Sequence, residues 1–488
     1  MPPRARFRRP AGVAGWSAIL ILIGALLFGG TSEQGAASGF AIELVSLAIL
    51  LGAALFGQRL KLREEIPGLT RIAAVIMLLY AAQLLPLAPT AWTALPGRGL
   101  IVAGFGLLKL TPGWQPLSMS PANSIASALA LLPAACAVSL MLRMPRARLV
   151  AWGAALTAVS CLSVVIGIAQ LVGGQASPLN FYYADSERAR GFFANPNHLA
   201  TLLLATLPIV AALATSVAQA STAPRARSLW MIFGAVTLLL ALGVLITGST
   251  AGAIMFLPTL AASLAVVLRG APRRLARSVK ALGVKALGVK ALSVKALSVT
   301  AVVLAAALIP LGLMTLSGRT MRHHGIFGED PLDRLGLAKT TVDGIKAYWP
   351  FGSGLGSFPS VYPTHERLDQ VSDVFVNHAH NEYLEILFEA GIFGLAIIII
   401  GLLWWARRTY QAWRSNDDDA PWRQASSIAI AVVIAHSSVD YPARTPAVLV
   451  VLGCCAALLD RRRSSDAREA RGADSLTNDV APARHATI

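Results

Sequence analysis

The chain is poor in charged residues. Asp, Glu, Lys and Arg make up only 14% of its 488 residues, whereas 55% are hydrophobic. Soluble domains carry about 25% charged residues, so this composition excludes an ordinary soluble multidomain enzyme. Intrinsic disorder of the whole chain is excluded as well, because disordered proteins are poor in apolar residues. Long apolar stretches need lipid as their solvent, and the composition therefore predicts one integral membrane protein.

Cysteine is also scarce. The four cysteines, Cys136, Cys161, Cys454 and Cys455, all lie inside apolar stretches and form no CxxC pair. This spacing argues against a disulfide framework and against a zinc site. The sequence also has no GxSxG elbow, no Walker loop and no GxGxxG placed after a strand, so it offers no motif for a nucleotide or a serine nucleophile.

Apolar stretches of spanning length recur along the chain. A spanning helix needs about 20 apolar residues, and lipid leaves no partner for open backbone groups, so such stretches must be helical. We predict an all-α polytopic membrane protein with about 12 transmembrane helices, residues 1–460 forming one transmembrane domain. The predicted spans lie near 12–30, 40–57, 70–89, 122–142, 149–172, 197–217, 228–247, 250–268, 297–316, 387–405, 425–440 and 446–459.

The net charge of +17 follows the predicted topology. If the N-terminus is cytoplasmic, 31 of the 42 Lys and Arg residues fall in cytoplasmic segments and 11 in outside segments. That bias is the positive-inside pattern of membrane proteins. We therefore expect membrane lipids, and no nucleic acid, as the partners of these charges.

Three segments are unlike a fold core. The cytoplasmic loop 269–296 carries most of a repeat, Val279 to Ser298, which is four copies of VKALG or VKALS. It is either a basic helix on the anionic inner leaflet or a slippage repeat that merely lengthens the loop. The tail 461–488 is polar and is predicted to be disordered and cytoplasmic. Residues 90–120 combine Pro, Gly and Trp, and are predicted to be interfacial or re-entrant, with Trp92 and Trp114 as interface anchors.

Arginines on the predicted outer side are contrary to the positive-inside bias, so topology does not explain their presence. Arg188 and Arg190 lie in the segment ERARGFFANPNH, before the span at 197. Capture of a phosphate or diphosphate is one explanation, since the guanidinium presents a planar fork of donors. Snorkelling, or an ion pair with Asp185 or Glu187, is the alternative.

The longest extramembrane segment, 317–386, is predicted to be a partly helical periplasmic loop that carries catalysis. Loops of this length are usually functional or disordered, and its glycines and aromatics argue against disorder. Arg334 could bind an anion or pair with Asp330 or Asp333. The sequence GSGLGS at 352–357 is predicted to be a turn before Phe358.

Histidines lie at the end of that loop. His378 and His380, with His365 and Asp373 nearby, could bind a metal, but the spacing matches no strong zinc motif. His380 could instead be a general base, or simply a satisfied loop histidine. Further along the chain, His436 and Asp440 raise the same choice, and Asp440 is predicted to lie at the outer surface with Arg444.

Three motifs resemble the O-antigen ligases and the related O-antigen polymerases and oligosaccharyltransferases. RGFFANPNHLA (190–200) is similar to the arginine segment that leads into a span. DRLGLAKTTVDGIKAYWPFGSGLGSF (333–358) is similar to the arginine-bearing helix and the P-x-G-x-G-x-G-x-F region. HNEYLEILFEAGIFG (380–394) is similar to the pattern of His-Asn, nine residues, Gly, two residues, Gly. One position departs from the family, because Thr250 stands where many members have arginine.

The resemblance implies a GT-C-like membrane glycosyltransferase in the bacterial inner membrane. It would transfer a glycan from undecaprenyl diphosphate to a hydroxyl of lipid A-core or another envelope acceptor, at the periplasmic face, with inversion. Its implied catalytic residues are His380, Arg190 and Arg334, and its implied substrate-binding residues are Arg188, Asn195, Asn197 and Asn381. By this analogy the enzyme uses no cofactor and no metal.

Two alternatives stay open. A polymerase of O-antigen or exopolysaccharide would join repeat units on the same carrier and would show the same motifs. A secondary transporter or flippase would show paired broken helices with charges at the midplane, which the sequence does not suggest.

Overall fold

The computed structural model describes residues 12–33, 37–56, 68–182, 188–270, 334–367, 371 and 375–461. The predicted span 297–316, almost all of the repeat loop 269–296, the first part of the long loop (317–333) and the tail from 462 lie outside these residues. Sixteen α-helices and one two-stranded antiparallel ladder make up the described part. The ladder pairs β1 (Pro86–Leu87) with β2 (Gln115–Pro116).

The helices follow one another along the chain. They are α1 (Gly12–Phe28), α2 (Ala37–Phe56), α3 (Gly68–Leu84), α4 (Pro89–Thr93), α5 (Gly99–Leu107), α6 (Pro121–Leu129), α7 (Leu132–Leu142), α8 (Leu149–Gly173), α9 (Pro196–Gln219), α10 (Ala223–Ile246), α11 (Thr250–Gly270), α12 (Arg334–Tyr348), α13 (Phe358–Val361), α14 (Glu382–Trp413), α15 (Ala420–His436) and α16 (Pro446–Asp460).

Six helical stretches in the described residues are long and apolar enough to cross a membrane, and four further apolar helices are shorter. Together they correspond to ten of the twelve predicted spans. The predicted span 425–440 corresponds to α15, which ends at His436, so residues 437–440 belong to the turn that follows it. The prediction of a mainly helical, multi-pass membrane protein is confirmed, whereas its count of about 12 spans is not.

The centre of the bundle is formed by α9 and α15. Nearly every residue of both helices is buried, including the polar Thr201, Thr206 and Thr215 of α9. Each of these hydroxyls donates to the carbonyl four residues earlier, at 2.8–2.9 Å, which satisfies the polar group inside an apolar helix. The surrounding helices pack on this pair, so the two ends of α9 define the two ends of the molecule.

The site end of the bundle contains the start of α9 and the end of α15. The backbone joins its elements there: Ala194 N–H donates to Gly30 O at 3.0 Å, and Glu382 N–H donates to Ser437 O at 2.9 Å. At the opposite end, Arg146 pairs with Asp418 at 2.8 Å. The predicted site residues all belong to segments at the site end.

The long helix α14 is broken at Gly391, whose φ is +52°. An added Cβ there would lie 2.1 Å from the carbonyl oxygen of Pro350, so only glycine fits. Residues 350–357 fill the break, and the backbone N–H groups of Ser353 and Gly354 donate to the carbonyls of Phe388 and Glu389 at 3.0 and 2.8 Å. The GSGLGS segment is thus a loop packed into the helix break rather than only a turn before Phe358. Irregular backbone inside a spanning region requires such burial in protein.

Candidate functional site

The segment that carries Arg190 is held against α8 by two polar side chains, Ser163, which accepts from Phe192 N–H at 3.2 Å, and Gln170. Gln170 accepts from the N–H groups of Arg190 and Gly191 at 3.2 and 2.9 Å, and donates to Gly191 O at 2.9 Å. Gly191 has φ +56°, and a Cβ there would lie 2.5 Å from the backbone oxygen of Ser163. The glycine therefore lets the chain pass close to α8, and Arg190 is left 9% exposed just before α9.

The first turn of α9 is capped by Asn195, whose Oδ1 accepts from Asn197 N–H at 2.8 Å. The next side chains point to the turn after α15. Asn197 Nδ2 donates to Asp440 Oδ2 at 2.6 Å, and the His198 Nε2 atom lies 3.6 Å from Asp440 Oδ1. Two side chains from the start of α9, Asn197 and His198, therefore lie beside the Asp440 carboxylate.

The first turn of α14 is attached to the same turn. Asn381 caps the helix by accepting from the N–H groups of Tyr383 and Leu384 at 3.0 and 3.1 Å, and its amide donates to Ser438 O at 2.8 Å. His380 precedes it with φ +49°, a conformation that non-glycine residues rarely adopt. Its Nδ1 lies 3.6 Å from Asp440 Oδ1. The unusual backbone thus accompanies a side chain directed at the carboxylate.

Two imidazoles therefore lie at the same distance from one carboxylate oxygen. At 3.6 Å these contacts are electrostatic rather than hydrogen bonds. The His198 side chain is 2% exposed, the Asp440 side chain 0%, and the His380 side chain 12%. Only His380 has an accessible edge, so it is the member of this group that can meet a substrate.

An aromatic ring packs among the histidines. The Tyr441 centroid lies 4.8 Å from that of His380, 4.9 Å from that of His198 and 4.4 Å from that of His378. Burial, followed by the charge of Asp440, raises the pKa of Tyr441, so its hydroxyl stays protonated. The ring fixes the spacing of the imidazoles and brings no charge of its own.

Arg334 begins α12 and reaches the same turn, where its Nη1 donates to Val439 O at 3.1 Å. Burial alone would raise the pKa of Asp440. The imidazoles of His198 and His380, with the Arg334 guanidinium, outweigh burial and hold that pKa well below its usual range. Asp440 is therefore an ionised carboxylate, enclosed by groups that can carry positive charge.

The prediction that Asp440 lies at the surface with Arg444 is wrong. Asp440 is fully buried, and Arg444 pairs instead with Glu385 and Glu389 at 3.2 and 3.4 Å. Burial would lower the pKa of Arg444, but these carboxylates, with that of Glu382, raise it. Glu382, Glu385 and Glu389 are spaced three and four residues apart, so they lie on one face of α14. Arg444 faces all three and offsets their negative charge.

Arg188 also lies at the site end of the bundle, but it packs against a different turn. A Cβ added at Gly248 would lie 3.6 Å from the Arg188 side chain, so the arginine packs on the turn between α10 and α11. Thr250, the position at which the resemblance leads us to expect arginine, is the first residue of α11 and follows that turn. A guanidinium from a different segment therefore packs on the turn that precedes Thr250.

The predicted residues fall into two groups. His380, Arg334, Asn197 and Asn381 converge on the turn 437–441, and the Asn195 side chain bonds to Tyr441 of the same turn, whereas Arg188 and Arg190 lie in the segment that leads into α9. The predicted pairings of arginine with Asp185, Glu187, Asp330 or Asp333 lie outside the described residues. Sequence reasoning missed His198, which follows the NPN motif, and the central position of Asp440. The His436–Asp440 spacing was the available signal.

The described residues contain no group of three or more His, Cys, Asp or Glu side chains that could hold a metal ion. His378 Nδ1 lies 2.8 Å from Glu385 Oε1, whereas His380 faces Asp440. The two histidines of the HxH sequence therefore turn to different carboxylates.

These observations define the class: a multi-pass helical membrane protein with a buried carboxylate–histidine centre and arginines at one end of its bundle. Residues 235–399 match the family model described as O-Antigen ligase. The match supports the O-antigen ligase superfamily, as the motifs predicted, and with it a membrane enzyme of the ligase or polymerase type. It begins within α10 and ends within α14, so it includes Arg334 and His380 but neither Arg190 nor Asp440. No curated protein matches the chain.

Proposed function

We propose that the protein is a GT-C-like glycosyltransferase of the bacterial inner membrane. It transfers a glycan from undecaprenyl diphosphate to an acceptor hydroxyl at the periplasmic face, with lipid A-core or another envelope molecule as acceptor. The observation that carries the proposal is the convergence of His380 and Arg334 on the Asp440 turn, at the end of a membrane bundle.

The acceptor hydroxyl attacks the anomeric carbon, and the bond from that carbon to the diphosphate oxygen breaks, with inversion. The hydroxyl proton passes to His380, the exposed imidazole of the pair. Asp440 stabilises the imidazolium that forms, because it is ionised and 3.6 Å away. No other base with an accessible edge faces Asp440 in the described structure.

The leaving diphosphate gains negative charge as the bond breaks. Arg334 and Arg190 stabilise that charge, and fixed guanidinium groups do so more in the transition state than in the ground state. Arg188, packed on the turn that precedes Thr250, supplies the cation that relatives carry at position 250. Asn195, Asn197 and Asn381 contribute to substrate binding by fixing the first turns of α9 and α14, whose N–H groups face the same end.

The test is a deletion strain complemented by variants and examined by envelope-glycan gels and mass spectrometry. We expect loss of long chains on lipid A-core while carrier-linked polymer is retained. Arg190→Ala, Arg334→Ala and His380→Ala should each fail to complement. Lys339→Ala should complement, since it removes the same charge from the exposed face of α12. His365→Gln serves as the histidine control, because His365 bonds to Tyr348 instead.

Other outcomes would separate the alternatives. Single repeat units on lipid A-core would favour the polymerase, and an unchanged glycan profile with altered solute uptake would favour transport. Wild-type complementation by any two of the three site variants, at normal protein level, would remove the site assignment.

A further inference from the structure

The helix α5 is apolar on every side, and none of its residues is buried. Its nine residues, GLIVAGFGL, contain no polar side chain. Leu100, Leu107 and the adjoining Leu108 are 73%, 86% and 71% exposed. A helix that is apolar all round belongs in a protein core or in lipid, and α5 is not in the core.

Its length fixes how such a helix can meet a membrane. Nine residues at 1.5 Å per residue give about 14 Å, which is less than half of the roughly 30 Å hydrocarbon layer. The helix cannot cross the bilayer. It can lie within one leaflet, as short apolar interfacial segments do.

The finger that carries α5, residues 86–116, is fixed at its base. The β1–β2 ladder closes it, and the buried Arg98 donates to Leu117 O at 2.5 Å. Trp92, predicted to be an interface anchor, is only 4% exposed and donates to Pro116 O at 3.0 Å, so it is a base residue instead. Gly97, with φ +77°, packs on Tyr348 at the end of α12. The finger is thus attached to the helix that begins with Arg334.

The base of the finger also lies well inside the bundle. Ser118 N–H donates to Gln83 O at 3.0 Å, and the Gln83 side chain donates to Glu389 O at 3.3 Å. Glu389 is seven residues into the candidate span that starts at Glu382, or about 10 Å along the helix. Leu78 of α3 and Leu85, which follows α3, are 69% and 61% exposed, so the apolar surface continues from the apolar helix α3 to the finger.

We propose that α5 inserts into the hydrocarbon of the leaflet at the site end, and that its partner is lipid. Trp114, 68% exposed, and Lys109 suit the boundary between hydrocarbon and headgroups on its flank. The inserted finger anchors α12 at the membrane surface. This inference rests on the apolar surface alone and does not depend on the proposed transfer reaction.

Spin labels in lipid nanodiscs test the proposal. Single Leu107→Cys and Leu100→Cys variants are labelled, and the accessibility of the label to oxygen, which concentrates in hydrocarbon, is compared with that to a water-soluble nickel chelate. Leu78→Cys, on the exposed apolar face of α3 in the predicted span 70–89, is the lipid control. Lys346→Cys, on the 70% exposed Lys346 side chain, is the water control. The unsubstituted chain reports any labelling of its own cysteines.

We expect positions 100 and 107 to resemble position 78, with oxygen accessibility above that of the chelate. Chelate accessibility like that of position 346 at both positions would overturn the proposal. Dipolar broadening at position 107 that disappears on dilution with unlabelled protein would also overturn it, because α5 would then contact a second copy. Since two finger positions are read, one variant that fails to fold leaves the other to decide.

Discussion

Among single residues, the Asp440 carboxylate is the one on which the proposed reaction depends most. Asp440 is buried and ionised, and it faces the imidazoles of His198 and His380. A carboxylate in this position orients His380 and stabilises its protonated form, and the lowered pKa of Asp440 keeps that carboxylate ionised near neutrality.

Asp440→Asn should lower turnover by roughly 10²–10⁴-fold, the usual contribution of acid–base catalysis. The loss of turnover should persist from pH 5 to pH 8, because Asp440 is ionised throughout this range. A carboxyl group whose pKa is lowered by folding stabilises the protein above its usual pKa of about 3.9, and this stability is lost only as the pH falls through the lower pKa of the folded state. Rates of glycan transfer across this range provide the measurement. Asp343→Asn, at an exposed carboxylate paired with Lys346, is the control. Recovery of Asp440→Asn activity at either end of the range would contradict this role.

Arg188 carries a second prediction at this scale. If it supplies the cation beside Thr250, Arg188→Ala should lose activity and a Thr250→Arg substitution should restore part of it. Lys109→Ala, which removes an exposed charge from the same end, should have no effect. Complementation is measured with the double variant. If Thr250→Arg restores no transfer although the protein is present, Arg188 does not take the place of an arginine at position 250.

The sequence located some of these residues and missed others for a physical reason. Arg334 was identifiable because a basic residue on the predicted outer side opposes the positive-inside pattern, and His380 because it lies two residues from His378 and begins the His-Asn motif. His198 was not, since a histidine in the first turn of a helix gives no sign of a partner more than two hundred residues away. Asp440 was misplaced because apolar residues around it suggested a helix to position 440, whereas α15 ends at His436.

At the scale of elements, the broken helix α14 is the critical piece. Its first part carries the Glu382, Glu385 and Glu389 carboxylates, and its capped start holds His380 beside Asp440. A glycine within an apolar stretch is usually tolerated inside a regular helix, so Gly391 alone does not predict a break. Only the approach of the Pro350 carbonyl, which no local pattern encodes, explains why Gly391 must break the helix.

Gly391→Ala should therefore destabilise the protein. The left-handed backbone costs about 1–2 kcal/mol for a residue with a Cβ, and the contact with Pro350 O adds to it. Thermal unfolding in nanodiscs measures the effect. Gly401→Ala is the matched control, because a Cβ there meets nothing within 4 Å and the helix is regular. Equal stability of the two variants would show that the break is not required.

Asn381 tests the start of the same helix. Asn381→Ala removes a cap and should cost about 1 kcal/mol of stability, with a larger loss of activity, because it also releases the bond to Ser438 O that holds α14 to the Asp440 turn. Asn381→Ser should recover most of the stability, since serine also caps, but not the bond to Ser438. Comparison of unfolding and transfer in the two variants separates these effects. Full activity in Asn381→Ala would exclude the positioning role.

At the scale of the whole molecule, apolar length predicted ten helices well, because lipid allows only closed backbone hydrogen bonding. The packing of α9 and α15 at the centre was not predictable, since α9 is no more apolar than the other candidate spans and α15 is less apolar than they are. The distribution of Lys and Arg predicts the orientation of the protein in the membrane, and this prediction has a direct test.

The site end should face the periplasm. A thiol at Lys346→Cys should react with a membrane-impermeant maleimide in cells whose outer membrane alone is permeable. Arg414→Cys, exposed at the opposite end, should react only after lysis. The four native cysteines are the background, and three of them are buried. The reverse pattern would place the centre at the cytoplasmic face and would contradict the proposed donor geometry.

The most direct test of the central claim is transfer by the purified protein in nanodiscs, supplied with an undecaprenyl-diphosphate-linked glycan and lipid A-core. Mass spectrometry would count both the glycosylated acceptor and the released undecaprenyl diphosphate. We predict one released carrier for each glycan joined to lipid A-core, and loss of both products in His380→Ala and Arg334→Ala but not in Lys339→Ala. Equal product formation by the His380→Ala and unsubstituted proteins would contradict the account.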